Sequence, residues 1–393
     1  MGNSGVGKTQ ICNRLQGLAF DENGKPTNGM VISDFHLDES KGLDVRDFGA
    51  DALRNRLYAP FIKNHTVIIL VWEDSETATG EDGFHQPLTH WLQELALLGE
   101  DIFCPIIVCQ NKVEDPANAN PDLIPSELKN TFKPDQVTVV QCSARENHLD
   151  ALNEAIDAQW TKLGMHKMGS ATAYAIKEFK ALRKSDSELP AEERKFRLLG
   201  SSEFAEVIQK AQSNGNGTLS DNGAGLALSL VESGFFEGRH NVWNRSFILD
   251  STLLTDAMAA IVNRASPHAE SIRTEDGIVS DEAIKTKIWK HFSDHEREFL
   301  IEKLSRECLS MFELQKPKGG SSEERFAIID FLPEWEDSVA AKTGQWDQNY
   351  PEMQEVQFRF PIMSRMVFWG ILRYSMVPAI FKDTAVGFWK TGA

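Results

Sequence analysis

The sequence is short of cysteine, of positive charge and of long apolar runs, and each shortage closes off a class of function. Its five cysteines (Cys12, Cys104, Cys109, Cys142 and Cys308) have no CxxC spacing. That argues against a disulfide framework or a zinc site and fits a reducing, cytoplasmic compartment. Four of them lie in apolar runs, where buried free thiols are expected. Lys and Arg number 41 against 58 Asp and Glu, giving a formal net charge of −17. So acidic a balance repels a phosphate backbone, and no nucleic-acid partner is expected. The chain opens directly on Gly2-Asn3-Ser4-Gly5, so no signal peptide is expected either. The most apolar late stretch, 366–381, is too short for a bilayer span and is interrupted by Arg373 and Pro378. It reads as core, so no transmembrane segment is expected.

What is present is ample for two or three domains: 393 residues, 41% hydrophobic and 25% charged. Over 1–165, short apolar strand patterns at 67–72, 104–110 and 136–142 alternate with helical periodicity at 87–98 and 149–163. That order predicts an α/β fold with a mainly parallel sheet and helices on both faces. From 166 the pattern changes. Helices are expected over 170–212 with a polar break at 184–192, then a Gly/Asn/Ser-rich loop at 213–225. An apolar helix at 226–233 and a strand at 244–249 suggest a winged-helix-like unit. A further helical stretch, 281–314, ends at the linker-like Lys316-Pro317-Lys318-Gly319-Gly320-Ser321-Ser322, and 326–393 read as strand-rich and aromatic.

The strongest chemical signal is Gly2-Asn3-Ser4-Gly5-Val6-Gly7-Lys8-Thr9, which fits G-x-x-x-x-G-K-[ST] fully. Glycines let such a loop wrap phosphates with its backbone N–H groups. Lys8 would reach the β- and γ-phosphates, and the Thr9 hydroxyl would take Mg²⁺. The helix that follows, from Thr9 to Leu18, points its N-terminus at the anion, with Gln10 in its first turn. Such a loop normally follows a buried strand, and only Met1 precedes it here, so a fragment lacking the sheet's first strand is expected.

Later residues choose the base. Asp47-Phe48-Gly49 follows the strand-like run 42–46, which places an aspartate where it can hold Mg²⁺ through water. No His-Arg-Asp precedes it, so a protein-kinase reading of Asp-Phe-Gly fails. Asn111-Lys112-Val113-Glu114 resembles the N-K-x-D guanine-reading motif with a carboxylate one methylene longer, and Asp115 is a substitute reader. Ser143-Ala144 fits the S-A loop whose backbone meets the guanine carbonyl. Thr27, in Pro26-Thr27-Asn28-Gly29-Met30, is the candidate switch threonine sensing metal and γ-phosphate. The place of a final glycine in D-x-x-G is held by Ala50. Asp51 stands where a water-orienting glutamine is usual, and slow GTP hydrolysis is the expectation.

These motifs resemble the Ras-of-complex-proteins (Roc) domain of the Roco family. His90-Trp91-Leu92 to Leu98-Gly99 is similar to that family's helix before the base-reading strand. Leu226-Ala227-Leu228-Ser229-Leu230-Val231-Glu232-Ser233-Gly234, Ile248-Leu249-Asp250 and Leu253-Leu254-Thr255-Asp256-Ala257 resemble the C-terminal-of-Roc (COR) domain. Phe358-Arg359-Phe360-Pro361 resembles the start of its second half. The resemblance implies a Ras-like G domain over 1–165, a helical, winged-helix-like first COR half over 166–320 and an incomplete strand-rich second half over 321–393. It further implies GTP and GDP as ligands with Mg²⁺, homodimerisation through COR, and a longer cytosolic parent in which leucine-rich repeats often precede Roc. Gly2, Asn3, Ser4, Gly5, Val6, Gly7, Lys8, Thr9 and Gln10 would hold phosphate. Thr9, Thr27 and Asp47 would serve the metal, with Gly49 beside it. Asn111, Lys112, Glu114, Ser143 and Ala144 would read the base, and Lys8, Thr27 and Asp51 would act in hydrolysis. Ala50 and Asp51 also favour a rival reading, a pseudo-GTPase scaffold working through COR. A small-molecule kinase lacks an acceptor site and ranks last.

Overall fold

The computed structural model describes residues 1–27, 29–38, 41–49, 58, 61–62, 66–73, 86–96, 104–120, 123–126, 128, 131–133, 135–163, 170–190, 193–214, 246–262, 266–275, 277–306, 311–314, 324–328 and 331. By its internal contacts the chain divides into two compact units, Met1–Thr255 and Asp256–Ala393.

The first unit opens with the glycine loop and helix α1, Lys8–Leu15. The helix stops three residues before the expected end at Leu18, because Gly17 adopts φ 75°. This left-handed turn lets the Leu18 N–H reach back to the Asn13 carbonyl at 2.9 Å. An antiparallel hairpin follows, β1 (Met30–Asp38) and β2 (Lys41–Phe48), with Val31 opposite Asp47. The sequence pattern suggested only the stretch 42–46 of it.

The apolar runs then form a parallel sheet of β3 (Ile68–Trp72), β4 (Ile106–Gln110) and β5 (Val137–Gln141), with β4 central and buried throughout. Helices α2 (Leu88–Ala96) and α3 (Asp150–Lys162) occupy the positions predicted from periodicity. Met1 lies along the other edge of β3. Its amino group donates to the Ile69 carbonyl at 2.6 Å, and the Val71 N–H donates to the Met1 carbonyl at 2.8 Å. Burial, then the nearby Lys8 charge, pushes that amine down to about 5. Val6, Ile11, Val71, Ile107, Leu152 and Ile156 anchor the core between α1, the sheet and α3.

A second core in the same unit joins helices α4 (Ser170–Ser187) and α5 (Ser201–Asn214) to the short antiparallel pair β6 (Leu198–Gly200) and β7 (Ser246–Ile248). Phe204 stacks on Phe247, ring centroids 3.8 Å apart, and on Phe179 at 5.6 Å. Helix α4 also meets the β1–β2 hairpin. Lys180 Nζ donates to Asp34 at 2.7 Å and Asp44 at 2.8 Å, and Arg183 reaches Asp44 at 3.4 Å.

Helix α6 (Thr252–Val262) crosses the boundary between the units. The second unit contains helix α7 (Ala269–Thr274) and the sheet order β8–β10–β9 from Ile278–Ser280, Arg325–Ile328 and Met311–Leu314. The predicted helix over 281–314 is instead three pieces. A turn at Asp281–Ala283 runs into a π-helix at Ile284–Ile288, α8 covers Asp294–Arg306, and residues 311–314 are strand. Ser293 and Glu296 explain the break, since each bonds the other's backbone N–H, at 3.2 and 2.8 Å, and starts a new helix. Residues 311–314 pair along β10, which outweighs local helical periodicity. The expected apolar helix at 226–233 and the segments at 358–361 and 366–381 lie outside the described residues.

Candidate nucleotide-binding site

The glycine loop is built for close approach. Gly7 sits at φ 91°, and a Cβ there would overlap the Asn111 side chain. As the N-cap of α1 it brings no capping side chain, so the first-turn N–H groups face the loop. Lys8 crosses the loop, its Nζ donating to the Asn3 carbonyl at 2.6 Å and the Gly2 carbonyl at 3.1 Å. Burial pushes its ammonium down to about 8, against the opposing pull of Asp47. A cation so desolvated gains strongly from an arriving phosphate.

Three oxygens meet beside Lys8. The Thr9 hydroxyl donates to Asp47 Oδ2 at 2.6 Å, lies 2.6 Å from the Thr27 hydroxyl, and Thr27 donates to the same carboxylate oxygen at 3.2 Å. Two hydroxyls and one carboxylate are hard oxygen donors, a set that suits Mg²⁺ completed by phosphate and water. Among the described residues no three His, Cys, Asp or Glu converge as a metal site. Gly49 makes this cluster possible. Its N–H donates to the Gly29 carbonyl at 2.9 Å, and a Cβ on it would overlap the Thr27 carbonyl oxygen.

Asn111, only 4% exposed, links the glycine loop to the Ser143–Ala144 turn. Its Nδ2 donates to the Val6 carbonyl at 2.8 Å, and its Oδ1 accepts the Ala144 N–H at 3.1 Å. Lys112 takes φ 63°, a strained conformation for a non-glycine residue, and its ammonium pairs with Glu73 at the end of β3. Glu114 is exposed beside it. Asp115 is bonded elsewhere, its Oδ1 accepting the Ala117 N–H at 2.9 Å in the turn before Pro116–Asn118. Fully buried Ser143 accepts the Glu146 N–H at 3.2 Å and so tightens the Ser143–Ala144 turn.

Hydrogen bonds therefore link Lys8 to Gly2 and Asn3, Thr9 to Thr27 and Asp47, and Asn111 to Val6 and Ala144. The side chains of two residues in the phosphate-loop segment bond to protein groups. Gln10 grips the Asp21 backbone through both amide atoms, at 2.7 and 3.0 Å. Asn3 accepts the Trp91 indole N–H at 3.1 Å and bonds Gln86 in both directions, tying the loop to the start of α2. Ala50 and Asp51 lie outside the described residues. Sequence motifs alone did not point to Arg14, whose guanidinium bonds the base loop, or to Phe20, over which Arg145 is stacked at 5.8 Å. An arginine two turns into a phosphate-binding helix is the signal that could have exposed the first.

Residues 1–114 match the family described as Ras of Complex, Roc, domain of DAPkinase. Over this segment the chain is similar to the Roc family. Most of the chain has a fold similar to that of a solved Roc–COR structure. A solved structure of Methanosarcina barkeri Roco2 RocCORdC bound to GDP superposes with a TM-score of 0.59 at 16% identity, covering 84% of this chain and 94% of that one. A comparison with curated proteins gave no match. The Roc family assignment and the α/β fold agree with the resemblance read from the motifs. No helix among the described residues is long and apolar enough to cross a membrane.

Proposed function

We propose that the chain binds GTP and GDP with Mg²⁺ and hydrolyses GTP slowly, as a switch whose nucleotide state is passed to the COR residues. The observation that carries this reading is the Asn111 brace, which bonds the Val6 carbonyl of the phosphate loop and the Ala144 N–H of the base loop. It sets a phosphate cradle and a base-reading turn at one fixed separation, as a purine nucleoside polyphosphate requires. Lys8 and the loop N–H groups take the phosphates. Thr9, Thr27 and Asp47 would hold Mg²⁺, which would supply positive charge against the phosphates. Lys112, Glu114 and the Ser143–Ala144 turn select guanine. The GDP bound to the Methanosarcina barkeri protein supports the same ligand class.

On this reading residues 1–165 are the G domain, and 166–320 and 321–393 are the two COR halves, through which a homodimer forms in the cytoplasm. Leucine-rich repeats upstream in a longer parent chain belong to the same reading. Asp51, an anion where a neutral water-orienting side chain is usual, makes turnover slow. Alanine in place of glycine at position 50 favours a second reading, a scaffold that dimerises whatever nucleotide it holds.

Phosphate release under saturating GTP, with Mg²⁺ and with EDTA, separates the two. Slow, Mg²⁺-dependent release supports the switch. No release, with the same dimer content in GDP and in a non-hydrolysable GTP analogue, supports the scaffold.

A further inference from the structure

We infer that Trp91 is a positioning residue for phosphate binding: through its indole N–H and the Asn3 side chain, helix α2 holds in place a loop carbonyl on which the Lys8 ammonium rests. The inference rests on the guanine-nucleotide reading above and adds to it a residue that belongs to none of its nucleotide motifs. The glycine loop is pinned at its ends and open at its apex. At its exit the Val6 carbonyl accepts from Asn111, and a Cβ on Gly7 would overlap that same side chain. At its entry a Cβ on Gly2 would overlap the Val71 carbonyl oxygen of β3. Gly5, between them, is exposed, with nothing within 4 Å of where a Cβ would stand. A free apex can wrap a phosphate, and fixed ends make it do so in one shape, which saves ordering entropy on binding.

Asn3 completes the entry, and its side-chain bonds run to α2 and the segment leading into it. Its Oδ1 accepts the Gln86 N–H at 3.1 Å and the Trp91 indole N–H at 3.1 Å, while its Nδ2 donates to the Gln86 carbonyl at 2.8 Å. One amide supplies both the acceptor and the donor that this two-point grip on a backbone requires. Pro87 follows Gln86, and its carbonyl accepts the His90 N–H at 3.0 Å and the Trp91 N–H at 3.4 Å, so the gripped segment is locked to the first turn of α2. Asn3 and Trp91 are both buried, where losing one partner leaves the other's polar group unpaired. The backbone carbonyl of Asn3 takes the shorter of the two bonds from Lys8 Nζ, 2.6 Å against 3.1 Å to Gly2. The side chain of Asn3 therefore fixes the residue, and its carbonyl fixes the ammonium.

The test compares GDP with GMP on the full chain, by displacement of a fluorescent GDP analogue. Both present the base and the α-phosphate, and only GDP presents the β-phosphate that Lys8 would meet. Trp91→Phe keeps a buried ring and removes the indole donor. It is expected to weaken GDP about tenfold, the size of one buried hydrogen bond, and to leave GMP within about twofold. Asn3→Ala removes all three side-chain bonds. It should show the same selective loss to a larger degree, and it carries the test if Trp91→Phe does not fold. In the double variant the two losses should fall short of multiplying, because Trp91→Phe then has no bond left to remove. Equal weakening of GDP and GMP, no weakening, or losses that multiply overturns the inference, since a merely structural tryptophan has no reason to spare a ligand without the β-phosphate. Wild-type protein that fails to bind GDP more tightly than GMP refutes the phosphate-loop reading itself.

Discussion

Lys8 is bonded inside its own loop, to the Gly2 and Asn3 carbonyls, and also carries the charge that meets phosphate. Lys8→Ala removes both. GDP affinity should fall by about a hundredfold or more, the loss of two charge-assisted bonds, in displacement of a fluorescent GDP analogue. Unchanged affinity would move the phosphate site elsewhere. Gly49 sets a sharper test, because its substituent would meet backbone rather than a movable side chain. Gly49→Ala must push Thr27 away from Asp47, so the added stabilisation of nucleotide by Mg²⁺ should drop about tenfold while Mg²⁺-free binding changes little. Titration with GDP in Mg²⁺ and in EDTA reads both quantities.

At the scale of elements, the hairpin that carries Asp47 is tied to helix α4 by Asp34, Asp44, Lys180 and Arg183. Burial works to raise the Asp44 carboxyl, but Lys180 and Arg183 outweigh it and hold it below the ordinary carboxylate range. A depressed folded-state value stabilises the fold above the usual aspartate pKa of about 4 and ceases to do so as pH falls through the depressed value. Amide protection factors in β1, β2 and α4, corrected for the intrinsic pH dependence of exchange, should therefore fall together in acid. Asp44→Asn should remove that pH dependence and cost about 1–2 kcal/mol at neutral pH, between the values for exposed and buried pairs. Unchanged exchange in Asp44→Asn would show that the ion pairs do not hold α4. None of this cluster was legible in the sequence, because Asp44 and Lys180 are far apart in the chain. Strands β3, β4 and β5 were legible, since each is a short apolar run. Strand β1 was not: its sequence mixes Asp34 and His36 among apolar residues, and pairing with β2 decides its structure. Residues 311–314 were misread for the same reason.

For the whole molecule, the candidate phosphate loop was legible as a motif because its eight residues are contiguous. The candidate base-reading residues were legible only as isolated short motifs. What the sequence did not show is how they join. Asn111 bonds Val6, Arg14 bonds Ala144 and Asn3 bonds Trp91, each across a long stretch of chain that only folding closes. This bracing makes nucleotide binding a property of the folded unit, so ligand must stabilise it. At a GDP concentration a hundred times Kd the gain is about 2.7 kcal/mol, enough to raise Tm by several degrees. Lys8→Ala should abolish the shift.

The most direct measurement of the central claim is a competition titration of the full chain with GDP and ADP in Mg²⁺, with bound fluorescent GDP analogue as the signal. The guanine-switch account predicts displacement by GDP at concentrations at least about a hundredfold below those needed of ADP, the discrimination expected of a site that hydrogen-bonds the base edge. Equal displacement by the two, or no analogue bound to folded protein, would contradict it.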